Sequence, residues 1–102
     1  MTKNKILTTE QVREAIYQDA DFNVEELEEL SIIASSFIFE KTGYDFGKDL
    51  VKEPLAVLAA KMYAKNVYFS GGDYKQDYDY SFGLTAILLD LQVIANRKLG
   101  EE

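Results

Sequence analysis

The chain contains no cysteine and no histidine, and only one proline among its 102 residues. The absence of cysteine excludes disulfides and thiolate nucleophiles, and the absence of both residues removes the usual ligands of zinc. Without histidine, the side chain that most often serves as a general acid or base near neutral pH is missing, which leaves lysine as a conceivable base. We therefore predict a protein that is not an enzyme and that has no catalytic residues, no cofactor and no metal.

The chain also lacks long apolar runs and basic clusters. No segment approaches the length needed to span a bilayer, so we expect no membrane partner. The formal net charge is -7 and the bases are scattered, whereas nucleic-acid binders usually carry a basic patch, so we expect no sequence-specific nucleic-acid binding. The segment from Met1 to Leu7 has two lysines with no apolar stretch after them, which predicts no signal peptide and synthesis in the cytoplasm.

The apolar content and the length of the chain are sufficient for one folded domain. Hydrophobic residues make up 47% of the chain, which supports a packed core, and the length predicts a single domain over residues 1–102. Domains of this size are only marginally stable, and many gain stability by oligomerising.

Four segments predict a small all-α bundle. In the first, Thr8 is a candidate N-cap with Gln11 as its capping-box partner, and the helix is expected to end near Tyr17. The second is expected to begin after Asn23, because acidic residues follow at the positive end of the helix dipole. Gly43 is a natural stop for this second helix.

The third helix is expected to run from Pro54 to about Phe69 and to be mostly buried. Proline suits a first helical turn, where its missing N–H costs nothing. The segment is apolar nearly all round except for a narrow stripe formed by Lys61 and Lys65, which is typical of a central helix. Its alanines would allow neighbouring helices to approach closely.

The remaining segments are predicted to be two loops and a last helix. Residues 44–53 and the long polar, tyrosine-rich stretch before the fourth helix are expected to be loops. Either Ser81 or Thr85 is expected to cap the fourth helix, whose tail should fray from Lys98 onward. Its main apolar face is expected to contain Leu84, Ile87, Leu88, Leu91, Ile94 and Ala95.

Five residues are candidates for contact with a partner or a neighbouring copy. Tyr74, Tyr78 and Tyr80 lie in the long loop, and tyrosine is favoured in interface hot spots because it pairs a large ring with a polar tip. Leu89 and Val93 fall outside the main face of the fourth helix. Periodicity leaves open, with about equal weight, whether the surplus apolar surface belongs to a compact core or to a subunit interface.

Two acidic groups resemble metal sites only superficially. The run from Glu25 to Glu29 is interpreted as a solvated helix start. Asp73, Asp77 and Asp79 do not match the calcium-loop spacing, because no glycine sits at the bend and no glutamate closes the loop.

The order of these signals resembles the head–tail connector family of tailed bacteriophages, sometimes labelled as DNA-packaging proteins of prophages. Members often combine a capped first helix, a glycine after helix two, a proline-led alanine-rich helix that ends near a tyrosine, and a short last helix. The resemblance covers nearly the whole chain, and the segments that carry it are Leu7–Val12, Lys41–Gly43, Pro54–Leu58, Met62–Asn66 and Phe82–Leu88.

The resemblance implies a ring of identical subunits under the portal protein, at the head–tail junction of the virion. Such a ring extends the DNA channel after packaging and presents a surface to the next head-completion, stopper or tail protein. It requires a heterologous interface, in which one patch meets a different patch on the next copy. An acidic chain would help DNA to slide rather than adhere, a hypothesis that a lysine-lined channel would contradict.

The chain departs from the family in two places. Members often carry an arginine close after the helix-two glycine and another after the helix-three tyrosine, where this chain has Tyr44-Asp45 and Lys65-Asn66. Contacts that depend on those arginines are therefore not transferred to this chain.

The alternative function is a small acidic regulatory binding protein that acts as a monomer or dimer.

Overall fold

The computed structural model describes residues 4–16, 24–69 and 82–101, and within these ranges the chain is helical with no strand. The helices are α1 (Thr9–Ile16), α2 (Val24–Thr42), α3 (Pro54–Phe69) and α4 (Phe82–Glu101), and a short 3-10 helix, Phe46–Lys48, lies between α2 and α3. The predicted all-α bundle of four helices is confirmed.

Local signals in the sequence set the helix ends. The Thr8 N–H donates to Gln11 Oε1 at 2.9 Å and the Gln11 N–H donates to Thr8 Oγ1 at 3.2 Å, which is the predicted capping box. Gly43 ends α2 with a φ of +78°, a conformation that glycine adopts without steric cost. Pro54 begins α3 as predicted, and the Glu53 carboxylate accepts the Leu55 N–H at 3.1 Å.

The second and third helices together form the centre of the bundle, because each packs against the other and against both α1 and α4. In α3, most of the buried residues are alanines. Its small side chains face the other helices and are fully buried, as Ala56, Ala59, Ala60 and Ala64 show. Between α2 and α3, the rings of Phe37 and Tyr63 stack with their centroids 3.7 Å apart and their planes 6° from parallel.

The segment before α1 lies across α2 and is held by two buried serines. The Ile6 N–H donates to Ser35 Oγ at 2.9 Å, and Ser31 Oγ donates to the Leu7 carbonyl at 2.7 Å. The Ile6 and Leu7 side chains are buried. Because the serines satisfy backbone groups that would otherwise be buried without partners, their polarity is compatible with the core.

Gly47 is required where this N-terminal segment meets the 3-10 helix. A Cβ at Gly47 would overlap the Asn4 carbonyl, with the carbonyl carbon only 2.7 Å away. We expect Gly47→Ala to lower the free energy of unfolding by about 1–3 kcal/mol, because overpacking forces the backbone to shift. Urea denaturation followed by circular dichroism measures this change.

The matched control is Gly100→Ala, where a Cβ would meet no atom within 4 Å. We expect this variant to be as stable as the parent or slightly more stable, because alanine favours a helix more than glycine does. Equal stability of Gly47→Ala and the parent would show that the contact with Asn4 is not tight in solution.

Of the two caps expected for α4, Thr85 lies inside the helix, which begins at Phe82, and Ser81 lies outside the described residues, as do Asn23 and Tyr17. Two other sequence expectations about helix ends and loops are wrong. The tail does not fray at Lys98, because the helix continues to Glu101 and Lys98 contacts the segment before α3. Residues 44–53 are not a simple loop, because the segment includes the 3-10 helix and inserts Tyr44 and Phe46 into the core.

Candidate interaction surfaces

The outer face of α4 carries exposed apolar side chains. Leu89 exposes 60% of its surface and Val93 exposes 64%, whereas Leu84, Leu88 and Leu91 on the inner face are buried. Residues four apart share a helix face, so Leu89 and Val93 form a continuous stripe. The structure therefore places both sequence candidates together on the surface, and their contact with a partner stays a prediction.

A second exposed apolar pair lies in the connection between α2 and α3. Leu50 is completely exposed, at 102% of its reference surface, and Val51 is exposed by 86%. Sequence reasoning did not single out these two residues, because residues 44–53 were treated as an ordinary loop. Two adjacent large apolar residues in a loop, outside any helical periodicity, are the signal that would have identified them.

Polar contacts on both sides hold this exposed pair in a defined position. Lys52 Nζ donates to the carbonyls of Gly47 and Asp49, each at 2.6 Å. The Tyr44 hydroxyl donates to Asp49 Oδ1 at 2.7 Å. Lys98 Nζ of α4 lies 3.2 Å from Asp49 Oδ2 but outside hydrogen-bonding geometry, so it contributes as an ion pair. The connection is thereby fixed to the last turns of α4.

Asp49 remains ionised within this network. Burial alone would raise the pKa of the Asp49 carboxyl, but the hydrogen bond from Tyr44 and the ammonium groups of Lys98 and Lys48 outweigh burial and lower this pKa below 3.8. Opposite charges and hydrogen bonds favour the ionised form of a carboxyl. The Lys98 and Lys48 ammonium groups also lie 5.5 and 4.8 Å from the centroid of the Tyr44 ring.

The lowered pKa of Asp49 predicts a loss of stability in acid. Because this pKa is lower in the folded than in the unfolded chain, its stabilising effect is fully present above 3.8 and is lost as the pH falls through the folded-state pKa. We expect Asp49→Asn to lower the free energy of unfolding by about 1 kcal/mol at neutral pH, the upper range for a partly exposed ion pair. Urea denaturation of both proteins at neutral pH and at about pH 3 measures the difference.

The difference between Asp49→Asn and the parent should shrink at the lower pH. A difference that is the same at both pH values would show that the carboxylate charge does not act in the folded chain. Glu40→Gln is the matched control, because Glu40 is exposed on α2.

The start of α2 presents an exposed acidic surface. Glu25, Glu26, Glu28 and Glu29 are all exposed, and Lys5 Nζ lies 3.3 Å from Glu28 Oε1. In the described part of the chain, no group of acidic side chains is arranged to hold a metal ion. The acids therefore give α2 a solvated, negatively charged start that also complements the helix dipole.

Several sequence candidates cannot be placed. Tyr74, Tyr78 and Tyr80, together with Asp73, Asp77 and Asp79, lie outside the described residues. Their suggested roles stay predictions.

A shallow groove of about 250 Å³ lies between α1 and α3 and is lined by Glu14, Ala15, Lys61, Met62 and Lys65. Lys61 Nζ and Glu14 Oε2 are 3.9 Å apart across it. The two groups are partly exposed to solvent, so their charges are well screened. The groove offers an exposed ion pair and a few apolar atoms, which is little for specific ligand recognition.

Comparisons of the chain with protein families, with curated proteins and with solved structures found no match. None of the described helices combines the length and the apolar character that crossing a membrane requires.

Proposed function

We propose that this chain is a virion assembly protein of the head–tail connector type. In this proposal, identical copies form a ring under the portal protein of a bacteriophage or prophage, after DNA packaging. The ring bridges the portal to a head-completion, stopper or tail protein. The work of the protein is binding rather than catalysis.

One observation carries the proposal: the described part of this small domain exposes neighbouring large apolar side chains in at least two separate places. Leu89 and Val93 lie on the outer face of α4, and Leu50 and Val51 lie in the connection before α3. Exposed apolar side chains that are grouped rather than scattered are typical of interaction sites. Two different surfaces on one chain also meet the requirement of a ring, in which each copy offers unlike patches to its two neighbours.

The resemblance in the order of sequence signals supports the same function. Three of the elements on which it depends are present, namely the capped first helix, the glycine stop of α2 and the proline-led, alanine-rich α3. The short last helix is not, because α4 has 20 residues. These elements also occur in other α-helical proteins, so assembly has to be measured directly.

The first measurement is the mass of the purified chain by light scattering, alone and after mixing with a portal ring from the same phage genome. We expect either a large discrete oligomer or a monomer that the portal captures in a fixed stoichiometry. A monomer or dimer that ignores the portal would contradict the proposal.

Leu89→Asp is expected to weaken assembly by at least about tenfold, because it places a charge in the centre of an apolar contact. The monomer should keep its helical circular dichroism, since Leu89 is largely exposed. Sedimentation or light scattering over a concentration series measures assembly. Unfolding of the variant would instead show that Leu89 contributes to the core.

The alternative function, a small acidic regulatory protein, is favoured by the exposed glutamates at the start of α2. Such a protein would cover a basic partner and act as a monomer or dimer. A quadruple variant distinguishes the two functions. It replaces with glutamine the four glutamates Glu25, Glu26, Glu28 and Glu29. The variant should lose binding to a basic regulatory partner, whereas a ring built on apolar contacts should still assemble.

A further inference from the structure

We infer that the groove on α2 that holds residues 4–7 is a peptide-binding site. The partner is a short non-helical segment of another protein, with a basic residue followed by two apolar residues, that binds in place of the chain's own segment. Residues 4–7 are called the strap below. In the free chain the strap fills the groove and thereby blocks it. The inference goes beyond the proposed function, because the proposed ring does not require this site.

Two serines of α2 hold the backbone of the strap. Ser31 and Ser35 are four residues apart and therefore share one face of the helix. The Ile6 N–H donates to Ser35 Oγ at 2.9 Å, and the Leu7 carbonyl accepts from Ser31 Oγ at 2.7 Å. Main-chain groups of this kind are present in every residue except proline, which lacks the N–H. The serines therefore recognise a backbone, and specificity is left to the side chains, as in other modes of peptide recognition.

The side chains of the strap show what the groove accepts. Ile6 and Leu7 expose only 3% and 2% of their surface, so the groove takes two consecutive apolar side chains. Lys5 Nζ lies 3.3 Å from Glu28 Oε1 at the rim of the groove, so an acidic group faces the residue before the apolar pair. A basic residue followed by two apolar residues is the pattern that matches these contacts.

The connection between α2 and α3 bounds the groove at the end where the strap begins. Asn4 Nδ2 donates to Asp45 Oδ2 at 2.7 Å. The Asn4 carbonyl lies so close to Gly47 that a Cβ at Gly47 would overlap it. A partner segment therefore fits best with a polar side chain before its basic residue, because that side chain gains the hydrogen bond to Asp45.

The serines also make the groove compatible with an open state. When the strap leaves, each serine hydroxyl is hydrated or bonds to the carbonyl one turn earlier in α2, as serines within helices do. The backbone of the released strap is hydrated in the same way. No buried polar group is left without a partner in either state, which removes the main cost of exchanging one segment for another.

Charge and tethering identify the kind of partner. The start of α2 carries four exposed glutamates, whereas the segment from Met1 to Leu7 contains two lysines and no acidic residue. This surface therefore favours a basic segment over an acidic one. The strap of any other copy is held in its own groove at an effective concentration of about the millimolar range. A segment of a different protein is therefore the expected occupant, and the strap excludes segments that bind more weakly than it does.

Amide hydrogen exchange of the full-length chain, followed by NMR, tests whether the strap leaves the groove while the bundle stays folded. We expect the Ile6 N–H to exchange at least about 100-fold faster than the N–H of Ala34 in the buried middle of α2, because local opening costs less than global unfolding. Equal rates would overturn the inference, since the strap would then leave only when the chain unfolds. Exchange of Ile6 as fast as in an unstructured peptide would also overturn it, since the strap would not be held.

Binding in trans is tested by fluorescence anisotropy with a labelled synthetic peptide of residues 2–9. The full-length variant Leu7→Ala has a weakened strap, because it loses buried apolar contacts. At peptide concentrations up to about 1 mM, we expect the peptide to bind this variant at least about tenfold more tightly than the parent, whose intact strap competes for the groove. A peptide carrying Leu7→Asp is the matched control and should not bind.

A charge exchange locates the bound peptide. Adding Glu28→Lys to the Leu7→Ala chain should weaken peptide binding by about threefold, the scale of an exposed ion pair, and a peptide carrying Lys5→Glu should restore it. An absence of binding to a Leu7→Ala chain that keeps its helical circular dichroism, or binding that ignores these changes, would overturn the inference. Unfolding of Leu7→Ala would overturn it as well, because the strap would then be inseparable from the core. Failure of the proposed ring is distinguishable, because light scattering measures it independently.

Discussion

Replacing Phe46 with alanine is expected to lower the free energy of unfolding by about 3–5 kcal/mol, the usual cost of removing a buried aromatic ring. Phe46 exposes only 1% of its surface, although it lies in the connection between α2 and α3. Its ring meets that of Tyr44 edge to face, with the centroids 4.8 Å apart, and such pairs add stabilisation beyond the burial of apolar area. Urea denaturation at a concentration where the chain is monomeric measures the change.

Leu50→Ala is the matched control, because it removes a large apolar side chain only four residues later in the same connection. Leu50 is completely exposed, so its loss should change the stability of the monomer by less than about 0.5 kcal/mol. Equal effects of the two substitutions would show that the connection is not packed as the structure describes. A normal monomer that assembles poorly is the result expected for Leu50→Ala from the proposed function, in which the exposed apolar pair of this connection takes part in assembly.

Tyr63→Ala is also expected to destabilise the chain by about 3–5 kcal/mol, because it leaves a cavity in the interface between α2 and α3. The Tyr63 side chain is almost fully buried, and its ring stacks on that of Phe37. The surrounding alanines of α3 are too small to fill the space, and their backbone is held by helix hydrogen bonds. Thermal and urea denaturation measure the loss, and a domain of this size has only about 5–15 kcal/mol in total.

Leu58→Ala serves as the control within the same helix. Leu58 is about half exposed, so a smaller effect of about 1 kcal/mol is expected from the smaller apolar area that it buries. A double variant with Phe37→Ala adds a further test. The combined loss should be less than the sum of the single losses, because the two rings stabilise each other. Strict additivity would contradict direct stacking.

The helices of this chain were predictable because their signals are local. The Thr8 capping box, the Gly43 stop and the Pro54 start act through backbone groups within a few residues. Helical spacing also predicted that Leu89 and Val93 lie off the face that contains Leu84 and Leu91, but it left open whether that side was covered by the core, and the structure exposes both residues. The suggested roles of the long-loop tyrosines remain predictions.

The features that sequence reasoning missed depend on contacts between distant segments. Ser31 and Ser35 are buried only because the backbone at Ile6 and Leu7 crosses α2 beside them. Lys98 does not belong to a frayed tail, because Asp49 lies next to it. Periodicity along one helix contains no information about such partners.

The sequence by itself therefore determined the fold class, the capped start of α1, the stop of α2 at Gly43, the start of α3 at Pro54, and the absence of histidine and cysteine side chains, because each depends on composition or on neighbours along the chain. Only the tertiary structure decided that the connection before α3 belongs to the core at Phe46 and projects into solvent at Leu50. The tertiary structure likewise decided which side of α4 the connection meets, because the ion pair between Lys98 and Asp49 joins segments that are far apart in the sequence.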